Sequence, residues 1–288
     1  MAQIAADIFG VDIKDVRIIW GDTDMCPQGL GTWGSRAMVI TGSAIAKASE
    51  ILIDKMKKIA AKVLEVSEKD IVFEGGKFYP KGVPSAALTI ADIATYAYVA
   101  TGVIPGGDIE KGLQAIYTYE PPNTVRFDED GKGNFAVNYS NATHAAVVKV
   151  DTETGRVEIL KYVVVDDCGV AVNPLIVDGQ IRGGVCQGIG AALFEEVLYD
   201  ENGQPLNPSF MDYIVPTIAE MPTDFVVKHI ETPSPTTPLG VKGVGEAGNV
   251  ASLPAVANAV MNAIGKECRI LPLTPERVLW IIEGKEVV

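Results

Sequence analysis

The stretch Gly240-Val-Lys-Gly-Val-Gly-Glu-Ala-Gly248 organises the reading of this chain. Four of its nine residues are glycine. Glycine loses more backbone entropy on ordering than any other residue, so such a run is tolerated where the chain turns tightly or approaches something bulky. Glu246 is the one acid in the run, held between Gly245 and Ala247. Neighbours this small let a carboxylate press against a ligand, and they predict apolar surroundings for it. The same residues also read as an ordinary glycine-rich loop with a solvated glutamate, and the rest of the chain decides between the two.

At 288 residues the chain can bury one large core or two modest ones. Its net charge of −13 argues against nucleic acid as a partner, because a phosphate backbone would be repelled over most of the surface. No apolar run reaches the roughly 18 residues of a membrane span, and the N-terminus has neither a basic nor an apolar signal region. The four cysteines, at 26, 168, 186 and 268, form no C-x-x-C. They therefore encode neither a zinc site nor an iron–sulfur cluster of usual spacing, and read as reduced thiols of a cytoplasmic protein. Two histidines, His144 and His229, are too few for a histidine-built metal centre.

Hydrophobic spacing predicts helices over 1–9 (uncapped, ended by Gly10), 37–66, 90–100, 178–195 and 252–263, with a last one opening at Thr274-Pro-Glu-Arg277. In the second of these, Ile45, Ala48, Leu52, Met56, Ile59 and Val63 share one face. Strands are predicted at 16–20, in a hairpin over 71–79, and at 145–150 and 156–165 around a turn ending in Gly155. A second hairpin is predicted from Glu196-Val-Leu-Tyr199 with Asp200-Glu-Asn-Gly203 behind it. Glycine- and proline-containing segments at 102–107 and 120–134 place a boundary near Asp130, giving subdomains 1–130 and 131–288. The fold class expected is α+β, with helices packed on mixed or antiparallel sheets. Five glycines in the 178–195 helix would be unfavourable by several kcal/mol against alanine unless another body packs directly on it. An uncapped helix at residue 1 suggests that something precedes it in the working protein.

Three further stretches now stand beside Glu246: Gly31-Thr-Trp-Gly-Ser-Arg-Ala-Met38, Asp167-Cys-Gly-Val-Ala-Val-Asn-Pro174 and Gly179-Gln-Ile-Arg-Gly-Gly-Val-Cys-Gln-Gly-Ile-Gly190. In this order, and over essentially the whole chain, they resemble the C-terminal half of the molybdenum-binding subunit of the xanthine oxidase family. That family includes aldehyde oxidases, aerobic carbon monoxide dehydrogenases and nicotinate dehydrogenases. The resemblance implies a molybdenum–molybdopterin cofactor, with the cytosine dinucleotide form as one variant. It also implies partner subunits carrying [2Fe–2S] centres and FAD, and a small-molecule substrate. By the same resemblance Gly34, Ser35, Arg36 and Ala37 form the loop that wraps the cofactor and its phosphate, ahead of a helix N-terminus that attracts anions. Here Ala37 stands where many relatives carry serine. A plain helix N-cap at Ser35 fits the same residues.

Gln187 falls on a cofactor-contacting glutamine and Glu246 on the catalytic glutamate, the base that takes a proton from the oxygen nucleophile. Read without the resemblance, a glutamine on a glycine-rich helix is more often structural. Asn173-Pro174 reads as turn chemistry, and Gln180 stays undecided. The family's subunit is more than twice this length, and its first half carries a Gly-Gln-Gly loop, a Phe-Arg-Gly-type loop and most of the substrate pocket. The resemblance therefore implies a further chain that supplies that half, through a split gene or because this sequence is a fragment. Two other readings remain at this point. One is a non-catalytic or assembly member of the same family. The other is a nucleotide-binding oxidoreductase using 183–190 as a phosphate loop, although that run does not fit G-x-G-x-x-G.

Overall fold

Glycine punctuation sets many of the boundaries in the computed structural model, which describes residues 1–26, 29–100, 102 and 111–285. Helix α1 (Ala2–Phe9) has no side-chain cap at its start and ends in left-handed Gly10, φ 63°. A Cβ at Gly10 would lie 2.5 Å from the Gly76 amide nitrogen, so only glycine lets this helix end meet the next hairpin.

The described residues divide into two compact units. One is Met1–Val137 with Pro235–Leu239, and the other Asn138–Ser234 with Gly240–Val288. In the first unit the long helix α2 (Ser43–Val63) follows a wider π-helical turn, Met38–Gly42. Its C-terminal half buries Met56 and Ile59 as the spacing predicts, but its N-terminal half buries Ser43, Ala46 and Ser49 rather than Ile45 and Ala48.

Strands β1 (Ile71–Glu74) and β2 (Lys77–Pro80) form the expected hairpin around left-handed Gly75 and Gly76, and β3 (Leu88–Thr89) pairs antiparallel on the far side of β2. Helix α3 (Ile90–Tyr98) opens with a capping box from Thr89 and Asp92. Met56, Ile59, Phe78, Ile93 and Ala97 close this core. Phe78 is fully buried and stacks on Phe73, an anchor whose loss would cost about 3–5 kcal/mol.

No strand forms at 16–20. Trp20 is 79% exposed, and no described strand pairs with the segment, so β propensity has nothing to act on. The glycine- and proline-containing segment at 102–107 lies, apart from Gly102, outside the described residues.

The second unit is built on β4 (Asn141–Val150), β5 (Val157–Asp167) and β6 (Asp224–His229). β4 and β5 are antiparallel, whereas β6 joins β5 in parallel, so the sheet is mixed. A β-bulge slips the register: Val147 pairs with Lys161 and Val148 with Ile159, leaving Leu160 as the extra residue. Burial accordingly changes phase, from Ile159 to Tyr162 and Val164.

Helices α4 (Pro174–Leu193), α5 (Ala247–Val250), α6 (Ser252–Ile264) and α7 (Pro275–Glu283) complete the unit. Ile181, Val185 and Ile189 of α4 pack with Tyr162, Val164, Val256 and Val260 in one core. The architecture is α+β, helices on an antiparallel and a mixed sheet.

Two expectations in this unit need correction. Helix α4 begins a turn earlier than 178, because Asn173 caps it by accepting from the Ile176 amide at 3.1 Å, with Pro174 at the first helical position. The predicted second hairpin reduces to a single bridge between Tyr199 and Pro205. Proline lacks a donor to extend a ladder, and the Asn207 side chain takes over by bonding Leu198 N and Glu196 O.

Candidate functional site

In the first unit the predicted cofactor loop is an irregular entry to the long helix. Gly34 and Ser35 are consecutive left-handed residues, with φ 59° and 56°. A left-handed serine costs roughly 1–2 kcal/mol, and strain of this kind persists where the surroundings demand it. Arg36 donates from Nε and Nη2 to the Gly31 carbonyl at 3.1 and 2.9 Å and lies over the Trp33 ring at 4.3 Å. Its guanidinium therefore braces the loop. The helical turn begins at Met38 with Ala37 in the cap position and no side-chain cap, so Ser35 is not the N-cap. Gly34 is exposed, a Cβ there would meet no atom within 4 Å, and the first amides of a helix have no acceptor within it.

The second unit holds the other two predicted residues. Over residues 179–188 helix α4 has two glycine faces, and beyond them Gly190 packs against Glu195 and Pro216. On one, Cβ atoms at Gly184 and Gly188 would strike Asn249 N at 2.8 Å and the Ser252 side chain, while a Cβ at Gly248 would strike the Ile181 carbonyl. The body packed on the glycine-rich helix is thus this chain's own α5 and the start of α6. On the other face, Gly179 and Gly183 are exposed with no atom within 4 Å of a built Cβ, and exposed Gln180 and Gln187 share that face. Residues 183–190 lie inside α4, so they make no phosphate loop.

Glu246 immediately precedes α5, whose packing on α4 places the carboxylate's backbone beside that helix. Its carbonyl accepts from Asn249 N at 3.0 Å, and its side chain is exposed rather than lodged in apolar surroundings. The structure therefore brings Glu246 and Gln187 onto one helix pair of the second unit, while Gly34, Ser35, Arg36 and Ala37 belong to the first.

The segment leading to Glu246 is anchored by residues to which the sequence assigned no role, most of them inside the quoted 167–174 and 240–248 stretches. Gly169 and Val241 form a bridge, with Lys242 N bonded to Cys168 O at 2.7 Å. Asp167 accepts from Gly169 N at 2.9 Å, Thr232 N at 3.2 Å, the Thr232 hydroxyl and Lys242 Nζ at 3.1 Å. Burial alone would raise this carboxyl, but Thr232, the Gly169 amide and Lys242 outweigh it and hold it at about 2. Burial raises the neighbouring Asp166, which has His229 Nδ1 at 3.8 Å, and pushes the Cys168 thiol up to about 11. A thiol that stays protonated is a packing group rather than a nucleophile. Among the described residues no three His, Cys, Asp or Glu side chains converge as metal ligands.

Residues 1–222 match the family model described as a molybdopterin cofactor-binding domain. The chain is 39% identical, over 99% of its length, to the nicotine 6-hydroxylase large subunit of Paenarthrobacter nicotinovorans. It is 37% identical, over 96% of its length, to the carbon monoxide dehydrogenase large chain of Hydrogenophaga pseudoflava. It spans 33% of each of those proteins. Among solved structures, quinoline 2-oxidoreductase from Pseudomonas putida 86 superposes with a TM-score of 0.85 at 37% identity, covering 99% of this chain and 35% of that one. The reconstituted carbon monoxide dehydrogenase of Oligotropha carboxidovorans gives 0.87 at 34% identity, covering 98% and 33%.

Proposed function

We propose that this chain, which belongs to the molybdopterin cofactor-binding domain family, works as the cofactor-binding part of a molybdenum hydroxylase. Such an enzyme inserts water-derived oxygen into a C–H bond of a heterocycle or aldehyde, or oxidises CO, and sends two electrons onward. N-heterocycles such as nicotine and quinoline, named for two of the relatives, and CO set the range of substrates. The observation that carries this reading is the pair of glycine faces on α4, one consumed by α5 and the other open beside Gln187. Glycines with nothing against them are unfavourable in a helix unless something outside the chain lies on them.

The residues present fit the cofactor. Amides at the helix entry after Ser35 would hold its phosphate, and the Ser35 hydroxyl adds a donor. Gln187 would hydrogen-bond the pterin region from the open face, donating through its amide and accepting through its carbonyl. When bound, molybdenum–molybdopterin would supply the two-electron redox chemistry that side chains lack. Glu246 would act as general base, accepting a proton at a carboxylate oxygen from the attacking oxygen nucleophile. Gly245 and Ala247 keep that carboxylate accessible to a bulky neighbour.

Partner chains complete the working enzyme in this reading. One carries the remaining part of the molybdenum subunit, and others carry [2Fe–2S] clusters and FAD. Phe210, Met211 and Ile218 of the second unit are each about nine-tenths exposed, as expected of a surface that another chain covers. Metal and pterin analysis tests the proposal. The complex assembled with its partner chains is expected to carry molybdenum and pterin, the chain alone to carry neither, and Gln187→Ala in the complex to lower both. An assembled complex free of molybdenum would favour the non-catalytic, assembly role.

A further inference from the structure

We infer that the Asp167–Lys242 ion pair is a positioning device for Glu246, fixing the root of the segment that carries the carboxylate. The role given to Glu246 rests on the proposal above, whereas the mechanical claim does not. One buried carboxylate gathers three separate segments: its own strand end through Gly169 N, residue 232 through an amide and a hydroxyl, and residue 242 through the Lys242 ammonium. The Lys242 side chain is only 10% exposed, and its Nζ also bonds Thr232 Oγ1 at 2.9 Å, so the cation is committed to this cluster.

Strand-like pairing of the segment ends at Lys242, where its amide meets Cys168 O. The chain then turns at Val244, whose carbonyl accepts from Ala247 N at 3.1 Å, and enters α5. That helix is clamped to α4 by the backbone approach of Gly248 to Ile181 and of Gly184 to Asn249. Glu246 is therefore slung between two fixed points, Lys242 on Asp167 and Gly248 on α4, with two glycines, Gly243 and Gly245, in the span. Glycine gives the span little stiffness of its own, so the anchors set where the carboxylate stands. The pair acts through Glu246 and does not touch the reacting atoms.

The test compares Lys242→Met, Lys242→Arg and the double variant Asp167→Asn/Lys242→Met by hydrogen exchange and thermal unfolding of the full chain. Lys242→Met alone leaves a buried carboxylate short of its cation, so a general loss of stability is expected from it. The double variant removes both charges while Asn keeps hydrogen-bonding capacity, and replacing a buried pair by neutral groups is often neutral for stability. Its unfolding midpoint is expected within about 3 °C of the parent, while amide exchange over 243–249 rises about tenfold and β4, β5 and α6 stay unchanged. In the assembled enzyme the same double variant is expected to lower kcat with KM and molybdenum content unchanged, and Lys242→Arg to behave like the parent. Parental exchange over 243–249 in the double variant would overturn the inference, because the pair would then stabilise without positioning. A double variant that fails to recover stability would overturn it too, since the pair would then belong to the fold itself. Loosened exchange with unchanged kcat would keep the mechanical claim and reject Glu246 as the base.

Discussion

Asp167 keeps its charge with a side chain only 6% exposed, because hydrogen-bond donors and the Lys242 cation replace the water it gave up. Its carboxyl sits at about 2 in the folded chain against an ordinary 3.8. A depressed folded-state value contributes stability that is present above the unfolded value and is lost as pH falls through the folded one. The window therefore runs from about pH 4 down to about pH 2, with roughly 2 kcal/mol at stake. Asp166 works in the opposite sense. Burial raises it, so folding favours its protonated form, and its penalty grows as pH rises from the unfolded value toward the raised one. Asp167→Asn is expected to flatten the acid limb of the unfolding free energy between about pH 4 and 2. Denaturant titrations across that range check it, and an acid limb unchanged by the substitution would contradict the assigned donors.

Over residues 179–188 helix α4 divides its glycines by face, and the two faces respond differently to the same substitution. Gly184→Ala and Gly188→Ala drive a methyl into α5 and Ser252, and are expected to destabilise the chain by about 1–3 kcal/mol. Gly183→Ala meets open space and is expected to leave stability unchanged or to raise it by up to about 1 kcal/mol through helix propensity. Thermal midpoints decide this, and equal losses at 183 and 184 would contradict the two-face assignment.

The need for a close neighbour on α4 was legible in its glycine count, but which body lies there was not. Sequence spacing cannot name a partner helix lying some sixty residues away. Strand β6 was missed for a related reason: a parallel neighbour has no hairpin turn beside it to announce the pairing. Residues 16–20 failed the other way, with strand-forming side chains but no strand to join. At the candidate site, Glu246 stood out because small residues flank it. Its anchor Asp167 did not, because the contact with Lys242 spans 75 positions and leaves no local pattern.

At the scale of the whole molecule the predicted site residues fall in two units, the helix-entry loop around Ser35 in one and Gln187 with Glu246 in the other. The chain spans a third of the relatives it matches. The chain expressed alone is accordingly expected to be free of molybdenum and to associate through its exposed apolar side chains. Metal analysis with light scattering checks this, and a monodisperse monomer with stoichiometric molybdenum would contradict it. The central claim is that Glu246 works as a base on a cofactor that other groups hold. Glutamine keeps the shape of glutamate but cannot accept the proton. The deciding measurement is turnover per molybdenum in the assembled enzyme carrying Glu246→Gln. Parental cofactor content is expected, with turnover lower by about 10²–10⁴-fold. A fully loaded variant that retains more than about a tenth of parental turnover would contradict it.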